Sequence, residues 1–163
     1  GVRTVTITDA ADMDGVRANI RAVAEAVSAV ERGEALIARM DSRLAKAEGT
    51  GRGRKAVYVT AGGFTTGPGS LMDAVLRAAG FRNGVERPGY QPLGLEGVLL
   101  APPALFVQGF FDLARSDWRG AGRHPMMRRA MQGRTAAELP GAVLTCPAWF
   151  AADAAAQLAE QAS

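Results

Sequence analysis

The sequence predicts an α/β fold, a Rossmann-like three-layer lobe with a mostly parallel sheet, preceded by a long helical arm. Three observations predict it. Strand-like apolar runs alternate with helical stretches beyond residue 55, an order that suits parallel strands with helices on both faces. An alanine-rich helical pattern fills residues 11–47. Glycine- and proline-rich joints separate these elements. With 163 residues, 48% of them hydrophobic, the chain suffices for one main domain with a core, plus an appendage.

Taken in order, "RTVTIT" (Arg3 to Thr8) alternates Val5 and Ile7 with threonines and runs into Asp9, Asp12 and Asp14, predicting a short strand and then a helix N-terminus. Val16, Ile20, Val23 and Val27 follow at helical spacing, and Leu36, Met40 and Leu44 continue the stripe. Gly33 lies between these two sets, which predicts two helices, or one with a break between Ser28 and Gly33. "AEGTGRGRK" reads as a linker and "AVYVT" as a buried strand of the parallel type. A glycine-rich loop follows, and then a helix on which Ser70 and Asp73 have capping-box spacing and Gly80 ends the run. "RPGYQPLG" predicts a loop, "LEGVLLA" a short helix stopped by Pro102 and Pro103, and "ALFVQG" a strand. "FFDLARSDW" and "HPMMRRAMQG" predict two short helices, "AVLTC" a strand, and "WFAADAAAQLAEQ" a terminal helix with Phe150, Ala154 and Leu158 on one face.

The formal charge is +3 and the arginines are scattered, with no long basic run and no interleaved aromatics, which argues against a nucleic-acid partner. Cys146 is the single cysteine, so neither an internal disulfide nor a cysteine-based metal site is expected. No apolar run reaches the ~18 residues of a membrane span, and the start lacks signal-peptide character, so the chain is expected to be soluble and either processed or a fragment. His124 has no carboxylate or serine at a spacing that suggests a dyad, and the acidic residues form no pair at strand ends. The catalytic parts of an enzyme are missing from this pattern.

The glycine loop invites a phosphate-binding reading. Gly62 and Gly67 have the spacing, but Pro68 stands where lysine belongs and Gly69 where a hydroxyl belongs. The dinucleotide spacing G-x-G-x-x-G is absent as well. Instead the loop carries Phe64, Thr65 and Thr66 at the carboxyl end of a parallel strand, which suits an apolar or aromatic-faced ligand. A small α/β enzyme acting on a phosphorylated substrate at Gly62–Ser70 is the alternative, and a module pairing through the helical arm is a third.

Three stretches, "KAVYVTAGGFTTGPGSLMDAVLRAAGFRN", "YQPLGLEGVLLAPPALFVQG" and "GAVLTCPAWFAADAAAQLAE", resemble in that order the carboxy-terminal lobe of substrate-binding proteins of ABC importers, the class handling iron siderophores, haem and cobalamin. The resemblance implies a non-enzymatic protein that binds a metal-chelate or corrinoid as cargo, with no cofactor, outside the inner membrane in the periplasm. It implies that residues 1–10 are a strand of a missing N-terminal lobe, 11–47 the interlobe helix and its successor, and 48–163 the C-terminal lobe. Phe64, Tyr90 and Trp149 match the family's ligand-gripping aromatics, with Thr65 and Thr66 as orienting polar groups. Glu96 matches the carboxylate that docks on the importer's permease. Where relatives carry charged contacts after the last strand, this chain has Cys146, Pro147 and Ala148, with Arg87 and Arg123 as candidates for an anionic siderophore.

Overall fold

The computed structural model describes residues 4–113 and 119–163. Two helices lead: α1 (Met13–Ala26) and α2 (Val30–Ala47). Asp12 caps α1 by accepting the Gly15 N–H at 2.8 Å. The break between the helices is at Ser28, whose φ of 55° no helix tolerates. Gly33, expected as a breaker, lies instead inside α2, where a Cβ would come 2.6 Å from that of Ala24. It is the close-approach residue of the helical hairpin. Arg17 with Asp41 (2.6 Å) and Arg21 with Glu34 (2.7 Å) tie the hairpin's outer side, where solvent screens such pairs and they add little stability.

The remaining elements are β1 (Lys55–Thr60), β2 (Phe64–Thr66), α3 (Leu71–Ala78), β3 (Arg82–Asn83), β4 (Tyr90–Pro92), α4 (Leu95–Leu100), β5 (Phe106–Gly109), α5 (Pro125–Met131), β6 (Thr135–Leu139) and α6 (Ala151–Gln161). Four strands form one sheet in the order β3-β1-β5-β6, every neighbouring pair parallel. Tyr58, Val107, Ala137 and Leu139 face α3 and α6, while Val59 and Phe106 face α4 and α5. Three layers result, and the α1–α2 hairpin packs outside them on α6 through Val16, Met40 and Ala152. Full burial of side chains such as Phe81, Phe106 and Leu158 stabilises this stack by roughly 1.5–3 kcal/mol each.

Four expectations change. Residues 4–8 form no strand, because no strand lies beside them to complete a ladder; Asn19 takes that part, accepting the Thr8 N–H at 3.2 Å and donating to the Thr8 carbonyl at 2.7 Å. Arg3 lies outside the described residues. "AVLTC" is not a strand: Gly141–Val143 is a turn of 3₁₀ helix, and the sheet's fourth strand is β6, "TAAEL". Alanine and glutamate favour helix locally, but burying Ala136, Ala137 and Leu139 beside β5 overrides that preference. Residues 110–113 of "FFDLARSDW" are not helical, Phe110 having φ 64°, and residues 114–118 lie outside the described set. The glycine loop also contains structure of its own, since β2 and β4 form an antiparallel pair.

Replacing Gly33 by valine should push α1 off α2 and cost about 1–3 kcal/mol. Thermal unfolding followed by circular dichroism checks this, with Ala35→Val, an exposed position on the same helix, as the control.

Candidate functional site

At the carboxyl ends of β1 and β5 the chain leaves the sheet, the edge where ligands of open α/β folds collect. The β2–β4 pair stands just beyond β1. Its register sets Phe64 opposite Pro92 and Thr66 opposite Tyr90, so Phe64 and Tyr90 are diagonal neighbours on one face. Their rings stack with centroids 4.9 Å apart and planes within 10° of parallel. Phe64 is 36% exposed and Tyr90 65%. The pair is an aromatic platform open to solvent.

Several local features hold the platform. Thr60 Oγ1 accepts the Phe64 N–H at 3.0 Å, and the Gly63 carbonyl accepts that of Leu93 at 2.8 Å. Gly63 turns at φ 85°, and Gly67 has no room for a Cβ against the Arg87 carbonyl. Gln91 Nε2 donates to that same carbonyl at 2.7 Å. The glycines of the loop therefore serve the pairing of β2 with β4.

A phosphate would find little to hold it here. Ser70 Oγ caps α3 by accepting the Asp73 N–H at 3.2 Å and itself donates to the Gly67 carbonyl at 2.9 Å. The buried Asp73 carboxylate accepts from Asn83 at 3.2 Å and faces Arg77, placing negative charge at the helix start. The Gly67 N–H is already bonded to the Gly89 carbonyl. No group of three or more His, Cys, Asp or Glu side chains able to hold a metal occurs among the described residues.

Thr65 and Thr66 do not display their side chains as expected. Both are buried: Thr65, at 2% exposure with its Oγ1 unpartnered, points to the side away from the rings, while Thr66 lies on their side, opposite Tyr90. Trp149 is half-exposed but touches neither Phe64 nor Tyr90. It meets Phe150 edge-on at 5.8 Å, with the Arg43 guanidinium 6.0 Å from its ring. Trp149 lines a different feature, an apolar groove of about 380 Å³ shared with Ile7, Val16, Ile20, Val23 and Leu36. Glu96 is exposed in the first turn of α4 and has no ion-pair partner among the described residues. Arg123 is committed internally, donating to the carbonyls of Phe111 and Leu113 at 2.9 and 3.2 Å and lying over the Phe111 ring. His124 caps α5 by accepting the Met126 N–H on Nδ1.

Tyr58 is the polar group that strand patterning hides. Its ring is buried in the sheet, and its hydroxyl reaches over Gly109 so closely that a Cβ there would stand 2.5 Å from it. The hydroxyl makes no hydrogen bond among the described residues. Burial, and secondarily the nearby Tyr90 phenol, push its pKa well above the ordinary phenol range. The one available signal is Gly109, two positions beyond the register partner of Tyr58 on the neighbouring strand.

No family model and no curated protein matches the sequence. Solved structures do match the fold. A possible iron-binding (periplasmic solute-binding) protein from Staphylococcus epidermidis superposes with a TM-score of 0.76 at 12% identity, over 99% of this chain and 66% of that one. The periplasmic haem-binding protein RhuT from Roseiflexus gives 0.68 at 22%, over 94% and 64%. An ABC-type Fe3+-hydroxamate transport system protein from Saccharomonospora viridis gives 0.69 at 19%, over 97% and 57%. The chain thus has the fold of part of a periplasmic binding protein and spans less than two thirds of the length of each of these.

Tyr58 stays neutral in the fold while an unfolded chain ionises near pH 10, so stability is full below that pH and falls above it, by up to about 1.4 kcal/mol per pH unit. Denaturant midpoints measured through the alkaline range should show this slope, and Tyr58→Phe should flatten it.

Proposed function

We propose that this chain is the ligand-binding lobe of a periplasmic solute-binding protein that delivers an iron-siderophore, haem or cobalamin to an ABC importer. The exposed Phe64–Tyr90 stack carries the reading: two parallel rings, held by the paired strands β2 and β4 at the carboxyl edge of a parallel sheet, suit a broad flat apolar guest. The fold shared with iron- and haem-binding periplasmic proteins supports it.

The cleft is completed by a second lobe, a missing N-terminal one, for which the groove beside Trp149, Ile7 and Val23 provides an apolar seat. Arg87, exposed in the loop before β4, offers charge to an anionic chelate. Glu96 docks on arginines of the permease as a rim charge that sets registry and encounter rate. Binding breaks no bond, and the capped start of α3 disfavours the alternative enzyme acting on phosphates. The protein works outside the inner membrane.

Titration of the protein with haem, a ferric hydroxamate and cobalamin, followed by quenching of its two tryptophans, should saturate with one of these and not with nucleotides. Tyr90→Ala and Phe64→Ala should each weaken that binding by about 2- to 12-fold, the stacking contribution of an aromatic pair. Quenching by nucleotide alone would reverse the assignment.

A further inference from the structure

The face built by α4 and α5 combines unpaired cations with exposed apolar side chains. Val98, Met127 and Met131 anchor the two helices on the sheet. Leu99, Leu100 and Met126 point outward, Leu100 at 80% exposure. Between residues 119 and 137 the chain has no aspartate or glutamate. Arg128, Arg129 and Arg134 are exposed there, with no ion pair among the described residues. A groove of about 260 Å³ gathers both chemistries, with Leu99, Pro102 and Met126 along it and Arg129 and Arg134 beside them. Glu96, one turn before Leu99 and Leu100, is the nearby acid on α4, and Glu138 lies across the adjoining groove from Arg128 and Arg129.

Apolar side chains flanked by cations suit one kind of surface in particular, a bilayer with anionic headgroups. A second copy of this face would oppose its own three arginines. Beyond the permease contact proposed for Glu96 at the start of α4, a further protein partner would need about 800 Å² of contact per side, more than three apolar side chains and one shallow groove supply. A membrane asks for no such continuity, since each guanidinium gains separately from phosphate and each leucine from the interfacial hydrocarbon. We propose that the α4–α5 face docks on an anionic phospholipid surface, with Arg128, Arg129 and Arg134 on headgroup phosphates and Leu99, Leu100 and Met126 at the acyl boundary. This contact goes beyond the transport reading and does not depend on which ligand the lobe carries.

Co-sedimentation tests it, using vesicles of phosphatidylcholine alone and of phosphatidylcholine mixed with an equal amount of phosphatidylglycerol. Binding should require the anionic lipid and fall with added salt. It should drop on the order of fivefold for each of Arg128→Gln, Arg129→Gln and Arg134→Gln. Leu100→Ser should weaken it on the order of tenfold through lost interfacial burial, while its exposure leaves the thermal melt unchanged. Equal recovery with both vesicle types, or undiminished recovery of the triple arginine variant, overturns the proposal. So does self-association in the absence of vesicles that Leu100→Ser abolishes without any lipid binding by the parent chain. Ligand titration by tryptophan quenching reads neither the arginines nor Leu100, so the two readings fail separately.

Discussion

Everything else in the lobe is arranged around β1, a strand hydrogen-bonded on both sides and buried on both faces. Residues Ala56 to Thr60 are buried, with β3 on one flank and β5 on the other. A central parallel strand of this kind must be covered twice, and that requirement recruits α3 and α6 to one face and α4 and α5 to the other. The same strand delivers the chain to the carboxyl edge, where Thr60 Oγ1 receives the Phe64 N–H at the start of β2.

The β2–β4 pair shows how glycines can imitate a phosphate loop while serving another end. Gly63 and Gly67 are required by a positive φ and by backbone approach, the same demands a phosphate cradle makes of its glycines. The donors, however, are spent on the β2–β4 pair and on the cap of α3. What the loop offers outward is two rings. Thr65 and Thr66, which share the segment with Phe64, are buried.

The surface divides its apolar exposure among separate places. The Phe64–Tyr90 platform is small and rigid, the groove by Trp149 is apolar nearly throughout, and the α4–α5 face mixes leucines with arginines. These differences in chemistry argue for different occupants: a flat guest, a neighbouring piece of protein, and a charged interface. None of the described helices is long and apolar enough to cross a membrane, so contact with a bilayer would be at its surface.

Patterns carried by neighbouring residues were readable before any coordinates: the two leading helices, the capped α3 ending at Gly80, the strands β1 and β5, and the terminal helix all follow from local spacing and capping. Pairing between distant segments was not. Whether "TAAEL" or "AVLTC" becomes the fourth strand depends on which lies beside β5, and local propensity points the wrong way for both. Phe64 and Tyr90 were both evident as aromatics at loop edges, but their contact depends on a register set across 26 residues. Tyr58 looked like plain core, and only the packing against Gly109 reveals where its hydroxyl lies. Sequence determined which segments want to be helix, strand or turn, because those preferences act within a few residues. The tertiary structure alone decided which groups meet, because ladder pairing and burial are settled between segments far apart in the chain.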